Sequence, residues 1–417
     1  NRFPEIKYQG NTFTSTPGNI EDALSFGTLA SEPEKTPQGH LAMPYAGATF
    51  HRRGETLVAI KGNSSFVWDY EKESCGQLGR YLSRGSITIY PGSLKNAAMS
   101  WQGWDYAHIP GATAPALPPE KLDPGPIKDE SRHYTDEGAV GGMAFGGNGA
   151  WMMRFVDATY DKTFGFDQSA FAVGDTIVVL GNAIRSADAA TPIHTTLFQH
   201  ILPSPATATT VDGKAITALP FDQEFTGPAT FRDSVGTGYA IPAGVKVRLK
   251  RDQRNWPDNA FGRETGGRGN AEMALIDHGK APKNDSYEYA ILLNGLAKPE
   301  PYQVLRRDRT AHIVAFPERK ITVYAVFAPG QPVDELIEGV SEPALIAIEE
   351  RDGKGVVTAC GVDFAKNFRP KGTARDWFRK TPETPLVNAP NQLEIKLKGR
   401  APLKLPALDG AAAVVAL

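Results

Sequence analysis

Apolar residues along this chain come in short runs of about strand length, ~5–6 residues, set apart by glycine, proline and charged turns. The clearest early runs are 56–60 (TLVAI), 86–90 (SITIY), 151–156 (WMMRFV), 176–180 (TIVVL) and 195–202 (TTLFQHIL). Others follow at 245–250, 287–294, 311–316, 320–327, 344–349, 356–362 and 392–398. Many alternate: in 320–327 (KITVYAVF), Ile321, Val323, Ala325 and Phe327 share one face. Strand after strand with turn signals between them predicts an all-β protein of stacked antiparallel sheets.

Three stretches break this rhythm. Residues 20–29 (IEDALSFGTL) carry a weak helical signal, with Asn19 as N-cap and Ile20, Leu24 and Phe26 as a rough apolar set. Residues 107–142 are rich in proline, glycine and charge and read as a long surface excursion. Residues 253–269 read as a second loop, and long loops are often functional. The tail, 401–417, reads as a final strand and a frayed end, and no internal repeat is visible.

Length and charge narrow the picture. At ~100–200 residues per domain, 417 residues suggest two or three domains. Lysine and arginine total 45 against 47 acids, a net charge of −2, which excludes a strongly basic nucleic-acid platform. A local basic groove for an anionic polymer stays open. No window approaches the ~18–20 apolar residues of a membrane-spanning helix. The first residue, Asn1, suggests a piece of something longer or a processed product. Cys75 and Cys360 are too few for a disulfide scaffold; two buried thiols and one long-range disulfide are both allowed.

Familiar chemical motifs are missing: there is no Walker loop, nucleophile elbow or paired-cysteine zinc site. The glycine-rich 141–149 (GGMAFGGNG) precedes a strand-like run, so a hairpin is expected rather than a phosphate cradle. His194 and His200, six apart on one strand, would share a face about 20 Å apart, too far for one metal ion. Chemistry-bearing residues are densest in 63–81, followed by 101–106 (WQGWDY). The two tryptophans and the tyrosine there are a core anchor or a sugar-stacking platform. Arg52, Arg53, Lys61, Arg80 and Arg84 supply cations for a sulfated polymer, or simply solvated strand ends.

Seven collinear segments resemble polysaccharide lyase family 8, and within it the chondroitin sulfate ABC lyase group. They are 39–71 (GHLAMPYAGATFHRRGETLVAIKGNSSFVWDYE), 78–90 (LGRYLSRGSITIY), 101–113 (WQGWDYAHIPGAT), 194–200 (HTTLFQH), 276–278 (IDH), 285–293 (DSYEYAILL) and 302–314 (YQVLRRDRTAHIV). The resemblance implies the end of an α/α-toroid and linker at 1–38, a central antiparallel β-super-sandwich at 39–300 and a smaller C-terminal β-sandwich at 301–417. It implies cleavage of a uronic-acid polysaccharide (chondroitin or dermatan sulfate, or hyaluronan) by β-elimination. Arg2 in NRFP and Glu71 in the VW-x-x-E pattern match the family's catalytic arginine and glutamate. Substrate contacts are expected from Trp101, Trp104, Tyr106 and Arg80. The family's catalytic histidine and tyrosine lie on the toroid, which this chain essentially lacks, so the N-terminal toroid portion is an expected partner. The expected reaction requires no cofactor, and a structural calcium or magnesium ion is allowed in the acidic loops. The expected partner is an anionic polysaccharide, with no nucleic acid and no membrane, and the expected setting is extracellular or periplasmic. The rival reading is a non-catalytic carbohydrate-binding β-sandwich that uses the aromatic loop.

Overall fold

The computed structural model of the chain describes residues 6–8, 11–13, 35–67, 69, 78–92, 103–122, 135, 137–158, 160–256, 267–351, 353–363, 391–407 and 412–416. Contacts divide it into two units, Asn1–Pro37 and Gln38–Leu417. In the first, strands Ile6–Tyr8 and Asn11–Phe13 pair antiparallel. The helix expected over 20–29 lies outside the described residues.

The second unit is built around a nine-stranded antiparallel sheet that runs from Lys214–Ile216 at one edge to Val140–Phe145 at the other. Its strands Asn148–Val156, Gly165–Val173 and Thr176–Arg185 are covered on both faces. Along Asn148–Val156, Trp151, Met153 and Phe155 enter one core while Ala150 and Met152 enter another. Along Thr176–Arg185, Ile177 and Val179 alternate with Val178 and Leu180 in the same way. Since neither face meets water, both sets of alternating positions are apolar, which is why these strands read as unbroken apolar runs.

Two sheets cover the first face. One is four-stranded (Gly39–Met43, Ala48–Arg53, Thr56–Lys61 and Ser86–Tyr90) and contributes Val58, Ile60, Ile87 and Ile89. The other is five-stranded, ordered Phe221–Thr226, Lys246–Trp256, Gly267–Lys280, Pro192–Ile201 and Thr113–Pro115, and contributes Val247, Leu249, Ala274 and Ile276. The second face meets a six-stranded sheet through Val314, Phe316, Val323 and Leu345. That sheet's far side, with Ile313, Tyr324 and Ile346, packs on a three-stranded sheet of Ile337–Val340, Asn391–Leu397 and Leu403–Ala407. Described strands of the first three sheets end by Leu292, and those of the last two begin at Gln303. The chain therefore changes sheets near residue 300, although the core there is continuous.

Several local expectations need revision. Residues 140–149 do form a hairpin, and Gly146 and Gly147 turn it at φ 49° and 78°. The first part of the expected surface excursion is interior: Ala107, Ile109, Ala112, Ala114 and Leu117 are buried. Its backbone is satisfied inside the fold. Thr113–Pro115 pairs with Pro192–Ile201, and the amide of Ala116 donates to the Pro192 carbonyl. The expected loop at 253–269 is shorter than it reads, because its flanking strands run on and pair as far as Trp256 with Gly267. The tail supplies two strands, Leu403–Ala407 and Ala413–Ala416. Cys360 is a free buried thiol, pushed up to about 12 by burial, while Cys75 lies outside the described residues. Among the described residues no helix is long and apolar enough to cross a membrane.

Candidate functional site

Regular alternation gives the five-stranded sheet a charged outer face. Val247 and Leu249 point into the core, so Arg248, Lys250, Asp252 and Arg254 point away from it. On the next strand Ala274 and Ile276 point in, and Met273, Leu275 and Asp277 point out. The third strand, Pro192–Ile201, carries a bulge: Thr196 opposes Leu275 and Phe198 opposes Ala274, leaving Leu197 unmatched. The bulge overturns the expectation that His194 and His200 share a face, because one extra residue reverses the alternation beyond it. His200 turns inward, stacks on Phe198 and bonds Asp233 Oδ2 at 3.0 Å. His194 stays on the outer side.

Residues 105–108 lie against this outer face, and residues 111–116 run on along its edge strand. The Gly111 amide donates to the Thr196 carbonyl at 2.7 Å, and a Cβ on Gly111 would come 2.5 Å from Ile87, so only glycine fits. Gln199 clamps the segment. Its Nε2 donates to the carbonyls of Asp105 and His108, both at 2.8 Å. Its Oε1 accepts from the Asp105 amide at 3.2 Å and from Arg254 Nη1 at 3.1 Å.

This clamp aligns a row of acid and imidazole groups. Asp105 Oδ2 lies 2.7 Å from His108 Nδ1, His108 Nε2 lies 2.9 Å from His194 Nδ1, and His194 Nε2 lies 3.5 Å from Asp277 Oδ1. Asp105 accepts from His108 Nδ1–H, and one proton bridges His108 Nε2 and His194 Nδ1. Burial first, and the neighbouring His108 second, lower the His194 pKa to about 4. Burial pushes the Asp105 carboxyl up, but His108 and Arg254 outweigh it and hold Asp105 below the usual carboxylate value. His194 is therefore neutral and only weakly basic near pH 7, a poor proton abstractor. The row borders a cleft of about 210 Å³ floored by Met273 and Leu275 and edged by Arg248, Lys250, Asp252 and Arg254. Among the described residues no three His, Cys, Asp or Glu side chains are grouped to hold a metal ion.

Of the residues singled out from sequence, Arg2, Glu71 and Trp101 lie outside the described residues. The other three are buried. Trp104 and Tyr106 are 4% and 2% exposed, packed with Tyr81 and Ile109. A ring covered to that extent has no face for a sugar, so for these two the core-anchor alternative replaces the stacking platform. Arg80 is 2% exposed, lies 3.9 Å from Asp157 Oδ2 and stacks over the Tyr160 ring. It belongs to a buried charge cluster rather than a substrate surface. In that cluster Arg84 donates from Nε and Nη2 to Asp69 Oδ2, both at 3.1 Å, and from Nη1 to Asp157 Oδ2 at 3.0 Å. Asp69 and Leu78, the described residues flanking the segment with Glu71, are thus both held in the interior.

Sequence reading passed over the cleft, although its signals are present. The stretch 246–250 (KVRLK) alternates charge with apolar residues, the mark of a strand with one polar face. His108 sits in the same DYAH turn that had been weighed for its aromatic rings.

Comparison with known proteins gives concordant matches. A model of polysaccharide lyase family 8, super-sandwich domain, matches residues 39–298. The chondroitin sulfate ABC exolyase of Bacteroides thetaiotaomicron is 31% identical over 385 residues, covering 86% of this chain and 36% of that protein. The chondroitin sulfate ABC endolyase of Proteus vulgaris is 30% identical over 368 residues, covering 82% of this chain and 35% of that protein. The chain thus spans about a third of the length of these relatives. Among solved structures, a chondroitinase AC lyase aligns with TM-score 0.71 at 21% identity, covering 92% of this chain and 54% of that one. A Paenibacillus xanthan lyase aligns with TM-score 0.70 at 19% identity, covering 82% and 34%. At these identities the structural matches speak to the fold alone.

Proposed function

The chain belongs to polysaccharide lyase family 8, and from that premise we propose that it is the sandwich portion of a glycosaminoglycan lyase acting on chondroitin or dermatan sulfate, or hyaluronan, by β-elimination. The observation that carries this reading is the family match across 39–298. The identity of about 30% to chondroitin sulfate ABC lyases over most of the chain supports the substrate class.

The reaction sets the roles. The uronate C5 proton is acidic only once the adjacent carboxylate is neutralised by hydrogen bonds or cations. A base then removes that proton and an acid protonates the departing O4. In this reading Arg2 supplies a fixed cation beside the reacting sugar. Glu71, the match to the family's glutamate, holds the catalytic groups in place or contacts substrate. The base and acid come from a helical toroid portion, so the chain works with that portion, in an extracellular or periplasmic setting. The reaction draws on no cofactor.

The test is to add the toroid portion of a family relative to this chain, supply chondroitin sulfate, and follow the ultraviolet absorbance of the unsaturated uronate. Absorbance should rise in the mixture, and Glu71→Gln should slow the rise by about a hundredfold. A mixture that binds but leaves chondroitin sulfate, dermatan sulfate and hyaluronan all uncleaved would overturn the reading.

A further inference from the structure

The outer-face cleft keeps several polar groups in reserve after its internal pairs are counted. Arg248 is tied to Asp222 at 2.6 and 2.8 Å, Arg254 Nε to Asp252 at 2.7 Å, and Asp105 to His108. Three kinds of group remain. Lys250 lines the cleft and, among the described residues, forms no ion pair. Arg254 is 7% exposed, yet its Nη2 has no hydrogen-bond partner. A buried guanidinium N–H without an acceptor carries an uncompensated desolvation cost that a ligand oxygen would remove. Finally, Asp277, with His194 Nε2 3.5 Å from its Oδ1, is an acceptor with capacity to spare, above the apolar floor of Met273 and Leu275.

We infer that this cleft binds one acidic sugar unit of an anionic polysaccharide, with its oxyanion on Lys250 and Arg254 and its hydroxyls on His194 and Asp277. Donors on one side and acceptors on the other suit a ring that carries both an anion and hydroxyl groups. A cleft of about 210 Å³ is smaller than the ~300–1,000 Å³ that encloses a drug-sized ligand, so it takes one sugar rather than several. The identity of the polymer rests on the lyase reading, whereas the oxyanion chemistry does not. A uronate carboxylate and a sulfate ester are equivalent on these donors, and the probes below separate them.

The experiment titrates the 417-residue chain calorimetrically with an unsulfated chondroitin oligosaccharide, its sulfated counterpart, and inorganic sulfate. The oligosaccharides should bind, and Lys250→Met and Arg254→Gln should each weaken binding about tenfold. Tighter binding of the sulfated probe assigns the donors to a sulfate ester; equal binding assigns them to the carboxylate. Arg254 is buried, so Lys250→Met at a half-exposed position, with its melting temperature checked, carries the test if Arg254→Gln fails to fold. Unchanged affinity in folded Lys250→Met overturns the inference. So does binding of inorganic sulfate with no binding of either oligosaccharide. Cleavage by the toroid-supplemented mixture is read separately. Cleavage with unchanged Lys250→Met affinity sinks this inference alone, and binding that needs Lys250 without cleavage sinks only the lyase reading.

Discussion

Arg251 and Arg254 stand three residues apart on one strand and meet opposite fates. Arg251 faces the interior and every nitrogen of its guanidinium has a partner: Thr209, Glu272 and the carbonyls of Pro205, Thr207 and Ala218. Both Arg251 and Glu272 are fully buried. Arg254 faces outward and leaves Nη2 open. The histidines of strand Pro192–Ile201, two strands away in the same sheet, divide likewise, His200 inward to Asp233 and His194 outward to the cleft. The inner set is closed by its own protein, so its role is architectural. The outer set has donors and acceptors in excess, which is what a ligand-holding surface requires.

The largest effect should come from abolishing the bulge that separates the two faces. Deleting Leu197 would send residues on one side of it to the wrong face, and circular dichroism should show a chain without its native sheet. Next, Glu272→Ala strands the buried Arg251 charge and removes the acceptor for the Ser234 amide, bonded at 2.7 Å. Chemical denaturation should record a loss of about 3–5 kcal/mol.

Acidification should then separate His194 from a histidine of the deep core. Burial, with Arg307 as the second cause, lowers the pKa of His312 to about 3; burial, with His108 as the second cause, lowers that of His194 to about 4. The unfolded chain protonates both near pH 6.5. Between about 6.5 and 4 it therefore binds protons that the folded chain refuses. Stability rises with pH across that window and is lost as pH falls. His194→Asn should flatten this dependence by up to about 1.4 kcal/mol per pH unit in melts run from pH 8 to 4. His312→Asn should flatten it too, but should also cost stability at every pH, because Ser169 and Asn182 lose a partner at 2.7 and 2.9 Å. The smallest effect belongs to Lys250→Met, which should shift stability by less than about 0.5 kcal/mol while changing ligand affinity.

The sequence displayed the sheets more clearly than the site. Runs such as WMMRFV and TIVVL announce strands because two cores claim their alternate residues. The bulge at Leu197 leaves no mark in the polar–apolar pattern, since Leu197 and Phe198 are both apolar and both buried. That one residue made the facing of His194 and His200 unreadable. Trp104 and Tyr106 were ambiguous for a different reason: aromatic side chains serve core and platform equally well, and only packing against Tyr81 and Ile109 decides between them. Strand ends near Trp256 read as loop because polar residues there mask the pairing with Gly267.

The nine-stranded sheet lends one face to each of two cores, so neither sandwich has a finished surface to fall back on. Met143, Phe171 and Leu180 on one side, and Phe316, Val323 and Leu345 on the other, would meet water together if the layers parted. Heat should therefore melt the whole stack in a single transition. A protease that nicked the connection between Leu292 and Gln303 should leave two fragments that stay clasped and migrate as one.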